Sequence, residues 1–127
     1  MSYDVLVEEK PEYLRVEVSG TRVCGEELSS AICVWEKLGH LCREKALSKV
    51  LVVVNLTGRL PTMSAYGLAE SPGSFGWERS FKAAIVDVNE SSRESNNFTV
   101  TVAKNRGYNV EIFESEKTAR EWLLGGK

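Results

Sequence analysis

Histidine occurs once in this chain, at position 40, and aspartate only twice, at 4 and 87. That scarcity excludes most side-chain chemistry. No His-x-x-x-His, Cys-x-x-Cys or Asp-x-Asp spacing is present, so no element offers a ready metal site. His40 falls on the polar side of a predicted helix and reads as a solvated side chain, leaving no Ser/His or Cys/His pair to argue for. Neither GxxxxGK[ST] nor GxGxxG follows any strand, which removes the common phosphate-cradling loops. The expectation is a protein that is not an enzyme, with no catalytic residue, no metal and no cofactor.

Cysteine is also sparse and odd in number, which argues against a disulfide framework. Cys24, Cys33 and Cys42 are nine residues apart, two and a half turns if helical, so successive thiols point to opposite sides. They cannot gather round one ion, and two packed thiols with one partly exposed are expected. Neither sign of charge dominates. The net charge of −2 gives no footprint for nucleic acid or an anionic membrane. The first nine residues lack the basic and then apolar run of a signal peptide, and the longest apolar run, Val50 to Val54, is strand-sized. A cytoplasmic protein without stable membrane insertion is the default expectation.

What remains is ordinary globular material. Apolar residues make up 43% and charged residues 27%, enough for one core and too balanced for disorder. A chain of 127 residues is expected to form one domain, 1–127.

Periodicity orders that material. Asp4 to Lys10 and Tyr13 to Ser19 alternate apolar and polar residues, which predicts two half-buried strands. Lys10-Pro11-Glu12 between them predicts an antiparallel hairpin. From Gly25 to Ala46 the period becomes helical, with Leu28, Ala31, Ile32, Trp35, Leu38 and Cys42 on one stripe. Val34 and Leu41 at its margin widen it outward, which points to a homodimer. Lys49 to Asn55 is a continuous β-branched run, the mark of a strand covered on both faces. A short helix from Thr62 to Glu70 and a strand from Phe81 to Val88 follow, with a Gly- and Pro-rich break between them.

Ser91 and Glu94 have the spacing of a capping box. Phe98 to Val102 alternates like a strand, yet a parallel strand follows and needs a crossover, and Gly107 suits a helix stop. A helix is therefore predicted there. Tyr108 to Phe113 reads as the last strand, and Ser115 caps a closing helix with Ala119, Trp122 and Leu123 inward. Trp35 and Trp122 are assigned to the core. The order ββαβαβαβα predicts an α/β fold with a mostly parallel five-stranded sheet, one antiparallel edge strand and four helices.

In parallel α/β sheets, ligands meet the loops at the carboxyl ends of the strands. Those loops contain Asn55, Thr57, Arg59, Met63 and Ser64 after one strand, and Asp87, Asn89, Ser91 and Ser92 after the next. Around the short second helix, Leu60, Pro61, Met63, Tyr66, Phe75, Trp77 and Phe81 form an apolar, aromatic, glycine-interrupted group. Such a group suits a partner surface, an apolar cleft, or simply a cover for the sheet.

Tyr13 to Gly20, Val50 to Thr57, the Leu60-Pro61 loop and Ala103-Lys104-Asn105-Arg106-Gly107-Tyr108-Asn109-Val110 together resemble the SpoIIAA-like proteins. Their fold is shared with STAS domains and with CRAL-TRIO lipid-transfer domains. The resemblance implies a right-handed βα superhelix and a regulatory or protein-interaction role like that of anti-sigma factor antagonists. In those proteins a serine at the start of the second helix is phosphorylated. Ser64 is the positional match here, with Met63 where those proteins carry an acidic residue. Leu60, Met63, Ser64, Tyr66, Trp77 and Phe81 are the expected binding surface, for a protein partner or, as in the lipid-transfer relatives, a small apolar ligand or lipid.

Overall fold

The computed structural model describes residues 3–58, 61–70 and 72–125, with backbone alone at Pro72 and Ser91. Strands β1 (Tyr3–Glu9) and β2 (Leu14–Thr21) precede helix α1 (Glu27–Lys45) and strand β3 (Lys49–Thr57). Helix α2 (Thr62–Glu70), a 3-10 turn (Pro72–Phe75), strand β4 (Lys82–Asp87), helix α3 (Glu90–Asn105), strand β5 (Asn109–Phe113) and helix α4 (Glu116–Leu124) follow. The predicted order of strands and α-helices holds throughout.

The sheet order is β1-β2-β3-β4-β5, with β1 antiparallel to β2 and all other pairs parallel. The β-branched run therefore lies in the central strand, where Val50, Leu51 and Val52 are at most 1% exposed. Its alternate residues enter two cores. Val50, Val52 and Val54 join Leu38 of α1, Leu68 of α2 and Val100 of α3. Leu51 and Val53 join Ala119 and Leu123 of α4. Three crossovers of one hand, each stepping to the next strand, must leave α1, α2 and α3 on one face.

The segment that alternates like a strand is helical, as the crossover rule requires. Ser92, Asn96, Thr99, Val100 and Ala103 are buried at helical steps, with Val102 buried beside them, while Phe98 is 40% exposed. The Ser91 side chain of the expected capping box lies outside the described residues, but the backbone does not place Ser91 as the cap. The Asn89 carbonyl accepts from the Ser92 and Arg93 N–H groups, both at 3.1 Å, so the helix starts earlier and Ser91 lies within its first turn.

The inner stripe of α1 is rotated from the predicted one. Ser30, Val34, Leu38, Gly39 and Cys42 are buried, whereas Leu28, Ala31, Ile32 and Trp35 are half-buried. Gly39 sets this phase, because a Cβ there would lie 3.3 Å from the Gly76 carbonyl oxygen and 3.6 Å from the Trp77 ring. Val34 thus packs into the core with Leu41 half-buried against it. Trp35 and Trp122 flank the cores, half-buried, and do not fill them. Cysteine exposure reverses the expectation: Cys24 and Cys33 are exposed and Cys42 alone is buried, its thiol pushed up to about 11 by burial.

Helix α4 is tied at both ends. Arg15 of β2 hydrogen-bonds Glu116 and also reaches Glu8 at 2.8 Å. The Lys82 Nζ donates to the Trp122 carbonyl at 2.8 Å and sits 4.3 Å above the Trp122 ring. Leu123, with no exposed surface, is the apolar anchor beside the second tie. Leu123→Ala should therefore lower unfolding free energy by about 2–5 kcal/mol, read from the urea midpoint.

The hydrogen bond from Arg15 holds the Glu116 carboxyl below the usual carboxylate range, with burial opposing. A carboxyl depressed on folding contributes stability above its unfolded pKa and loses it as pH falls through the folded one. Glu116→Gln should accordingly be less stable than the parent at pH 7 and converge with it in acid, in paired urea titrations.

Candidate functional site at the carboxyl edge of the sheet

The ends of β2, β3 and β4 are stitched together just where their helices begin. The Arg22 N–H donates to the Thr57 carbonyl at 2.9 Å, and the Thr21 and Thr57 hydroxyls lie 2.9 Å apart. The Asn89 side chain donates to the Leu56 carbonyl at 3.1 Å, and the Val88 N–H to the Val54 carbonyl at 3.1 Å. Gly58 turns the chain after β3 with φ +88°, a left-handed conformation that disfavours any other residue. A Cβ there would also stand 3.2 Å from Arg22 Cβ, so the turn lies directly against Arg22.

Two charged side chains are buried at this edge. Asp87 has no exposed surface, and its carboxylate accepts from the Asn89 N–H (3.0 Å), the Ser92 hydroxyl (2.6 Å) and the Asn96 amide (2.5 Å). This arrangement fixes the start of α3 onto β4. Arg22 is 9% exposed and donates from Nη1 to the Gly58 carbonyl at 2.9 Å. Burial lowers its pKa, while Tyr3, Asp87 and Glu27 favour the cation through space. Burial likewise raises that of the Tyr3 phenol.

Beneath α1, α2 and α3, mostly apolar side chains leave two adjoining cavities of about 60 and 50 Å³. Trp35, Leu68, Ile85 and Asn96 wall both. The larger runs past Phe75 and Trp77 to Tyr108, and the smaller reaches Arg22 and Tyr3. Two voids of this size stand out in an interior packed as densely as an organic crystal.

The six residues expected to form one binding surface are separated. Met63 is 77% exposed in the first turn of α2, with half-buried Ser64 beside it. Half-buried Tyr66 accepts from Arg106 and donates to Glu70, both at 3.3 Å, so it binds α2 to the end of α3. Trp77 and Phe81 are 6% and 5% exposed. Trp77 stacks edge-on with both Phe81 and Trp35 at centroid distances of 5.1 Å, which puts the two rings in the core before β4 and away from any surface. Trp77 lines the larger cavity, but Phe81 and Tyr66 do not. Leu60 and Arg59 lie outside the described residues.

Arg22 and Asn96 were missed by sequence reasoning. The rule that directs attention to carboxyl-end loops, applied after β3 and β4, applies equally to Thr21-Arg22-Val23 after β2. Among the described residues, no group of three or more His, Cys, Asp or Glu could hold a metal ion, and no helix is long and apolar enough to cross a membrane.

The chain superimposes on an anti-sigma factor antagonist from Mycobacterium paratuberculosis with a TM-score of 0.59 at 13% identity, covering 96% of this chain and 94% of that one. A second match is an uncharacterised DUF3478-family protein with a SpoIIAA-like fold from Shewanella loihica, with a TM-score of 0.52 at 18% identity over 97% and 94% of the two chains. The chain has the SpoIIAA-like fold. No family model matches it, and no curated protein matches it by sequence.

The SpoIIAA-like architecture makes Asp87 the pin between its fourth strand and third helix. Asp87→Ala would leave three donors without their acceptor, at about 1–3 kcal/mol for each that water cannot reach. A loss of about 2–5 kcal/mol in urea unfolding is expected, with Asp87→Asn intermediate because it keeps one acceptor oxygen.

Proposed function

We propose that residues 1–127 act as one non-enzymatic, STAS-like regulatory domain of the cytoplasm that binds a protein partner through the first turns of α2. The observation that carries this reading is Met63, a large apolar side chain left 77% exposed beside a serine at a helix start. The neighbouring loops add exposed Val23 and Val88, at 38% and 52%. Exposed apolar side chains at these loop ends suit an interface that forms and releases. The fold shared with an anti-sigma factor antagonist favours the same role.

Ser64 is proposed as the switch. The first turn of α2 contains no acidic side chain, so its free N–H groups and positive dipole end are available to a phosphate. A phosphoryl group there would order the turn and place negative charge beside Met63, which opposes burial of that side chain in a partner.

Immobilised protein exposed to native cell extract should retain a defined partner, lose it on Met63→Glu, and weaken it at least tenfold on Ser64→Asp. Retention of the same proteins by the parent and by Met63→Glu would sink the reading.

A second reading, binding of a small apolar ligand, is favoured by the cavity pair beneath α1, α2 and α3. Its volume limits the guest. A cavity of about 150 Å³ holds benzene, and neither void approaches that, so a whole lipid is too large.

A further inference from the structure

Arg22 is a buried cation. Among the described residues no carboxylate lies within ion-pair distance of it, and its one side-chain hydrogen bond goes to the Gly58 carbonyl. Asp87 acts on it only through space, its carboxylate already accepting from Ser92, Asn96 and the Asn89 N–H. A guanidinium carries five N–H donors, and arginine is almost never buried unless paired. This one lines the smaller cavity, whose other walls include Val18, Val52, Val54 and Leu56.

We infer that the paired cavities bind a small carboxylate with an apolar tail, its carboxylate on Arg22 and its hydrocarbon against Trp35, Leu68 and Ile85. The inference rests on the small-ligand reading above and adds the charge and chemical class of the guest. The flat fork of the guanidinium matches a carboxylate. One cation with Asp87 nearby suits a monoanion better than a doubly charged phosphate. The cavity volumes of about 60 and 50 Å³ restrict the tail to a few carbons. Each methylene buried should strengthen binding about fourfold until the space is filled.

The test is a titration of the full chain at pH 7 with butyrate, butan-1-ol and butylammonium, followed by amide and indole NMR shifts. Butyrate should bind saturably, at least tenfold more tightly than butan-1-ol, with shifts centred on Trp35, Leu68 and Ile85, while butylammonium should not bind. Arg22→Met should remove the preference for butyrate and keep butan-1-ol binding, and Arg22→Lys should restore part of the preference. Equal affinity of the parent for acid and alcohol would overturn the inference and leave the apolar cavity reading standing. Saturable binding of none of the three would overturn both, and shifts confined to another surface would overturn the inference. If Arg22→Met does not fold, the acid-to-alcohol ratio and the shift map of the parent decide the matter.

Discussion

Burial of β3 on both faces is the constraint from which the other placements follow. Val50, Val52 and Val54 need an apolar layer on one side, and Leu51 and Val53 need one on the other. A strand in that position hydrogen-bonds on both edges, to β2 and β4, and has no solvent-facing row of donors. The connections on either side must then be helical crossovers, and their common hand stacks α1, α2 and α3 over one face. That leaves α4 to close the other face alone, which accounts for its two polar ties and its single fully buried leucine. The carboxyl edge, where three strand ends meet three helix starts, is a by-product of the same arrangement.

The edge collects polar chemistry because backbone groups end there. Each strand's last carbonyls and each helix's first N–H groups need partners, and the chain supplies them with Thr57, Asn89 and Asp87. Arg22 differs from these. It stabilises one carbonyl, yet most of its hydrogen-bonding capacity points at no protein acceptor among the described residues. Structural satisfaction explains the aspartate fully and the arginine only in part, which is why the two buried charges of this edge carry different weight in any account of function.

Element order was legible in the residues because period two, period 3.6 and the β-branched run are strong local signals. The crossover requirement correctly overrode the strand-like alternation of Phe98 to Val102, since a parallel neighbour cannot be reached without a helix. Phase was less legible. The buried face of α1 turns on Gly39 meeting Gly76 and Trp77, a contact across 37 or more positions of sequence that no stripe of apolar letters encodes. Site membership was hardest to read. Trp77 and Phe81 lie close to Met63 in sequence, but β4 begins just after them and draws both rings under the sheet's opposite end. Arg22 sits in a loop that carries no motif, and only its burial distinguishes it.

Helix lengths on the crowded face have a further consequence. Helix α2 has 9 residues, against 19 in α1 and 16 in α3. At 1.5 Å per residue the middle helix spans about 14 Å where its neighbours span about 28 and 24 Å. A roof with a short central beam cannot press down along its whole floor, so the hollow beneath it comes from the architecture, not from ill-fitting side chains. Substitutions in the walls would change what that hollow contacts, while its existence would persist as long as the beam stays short.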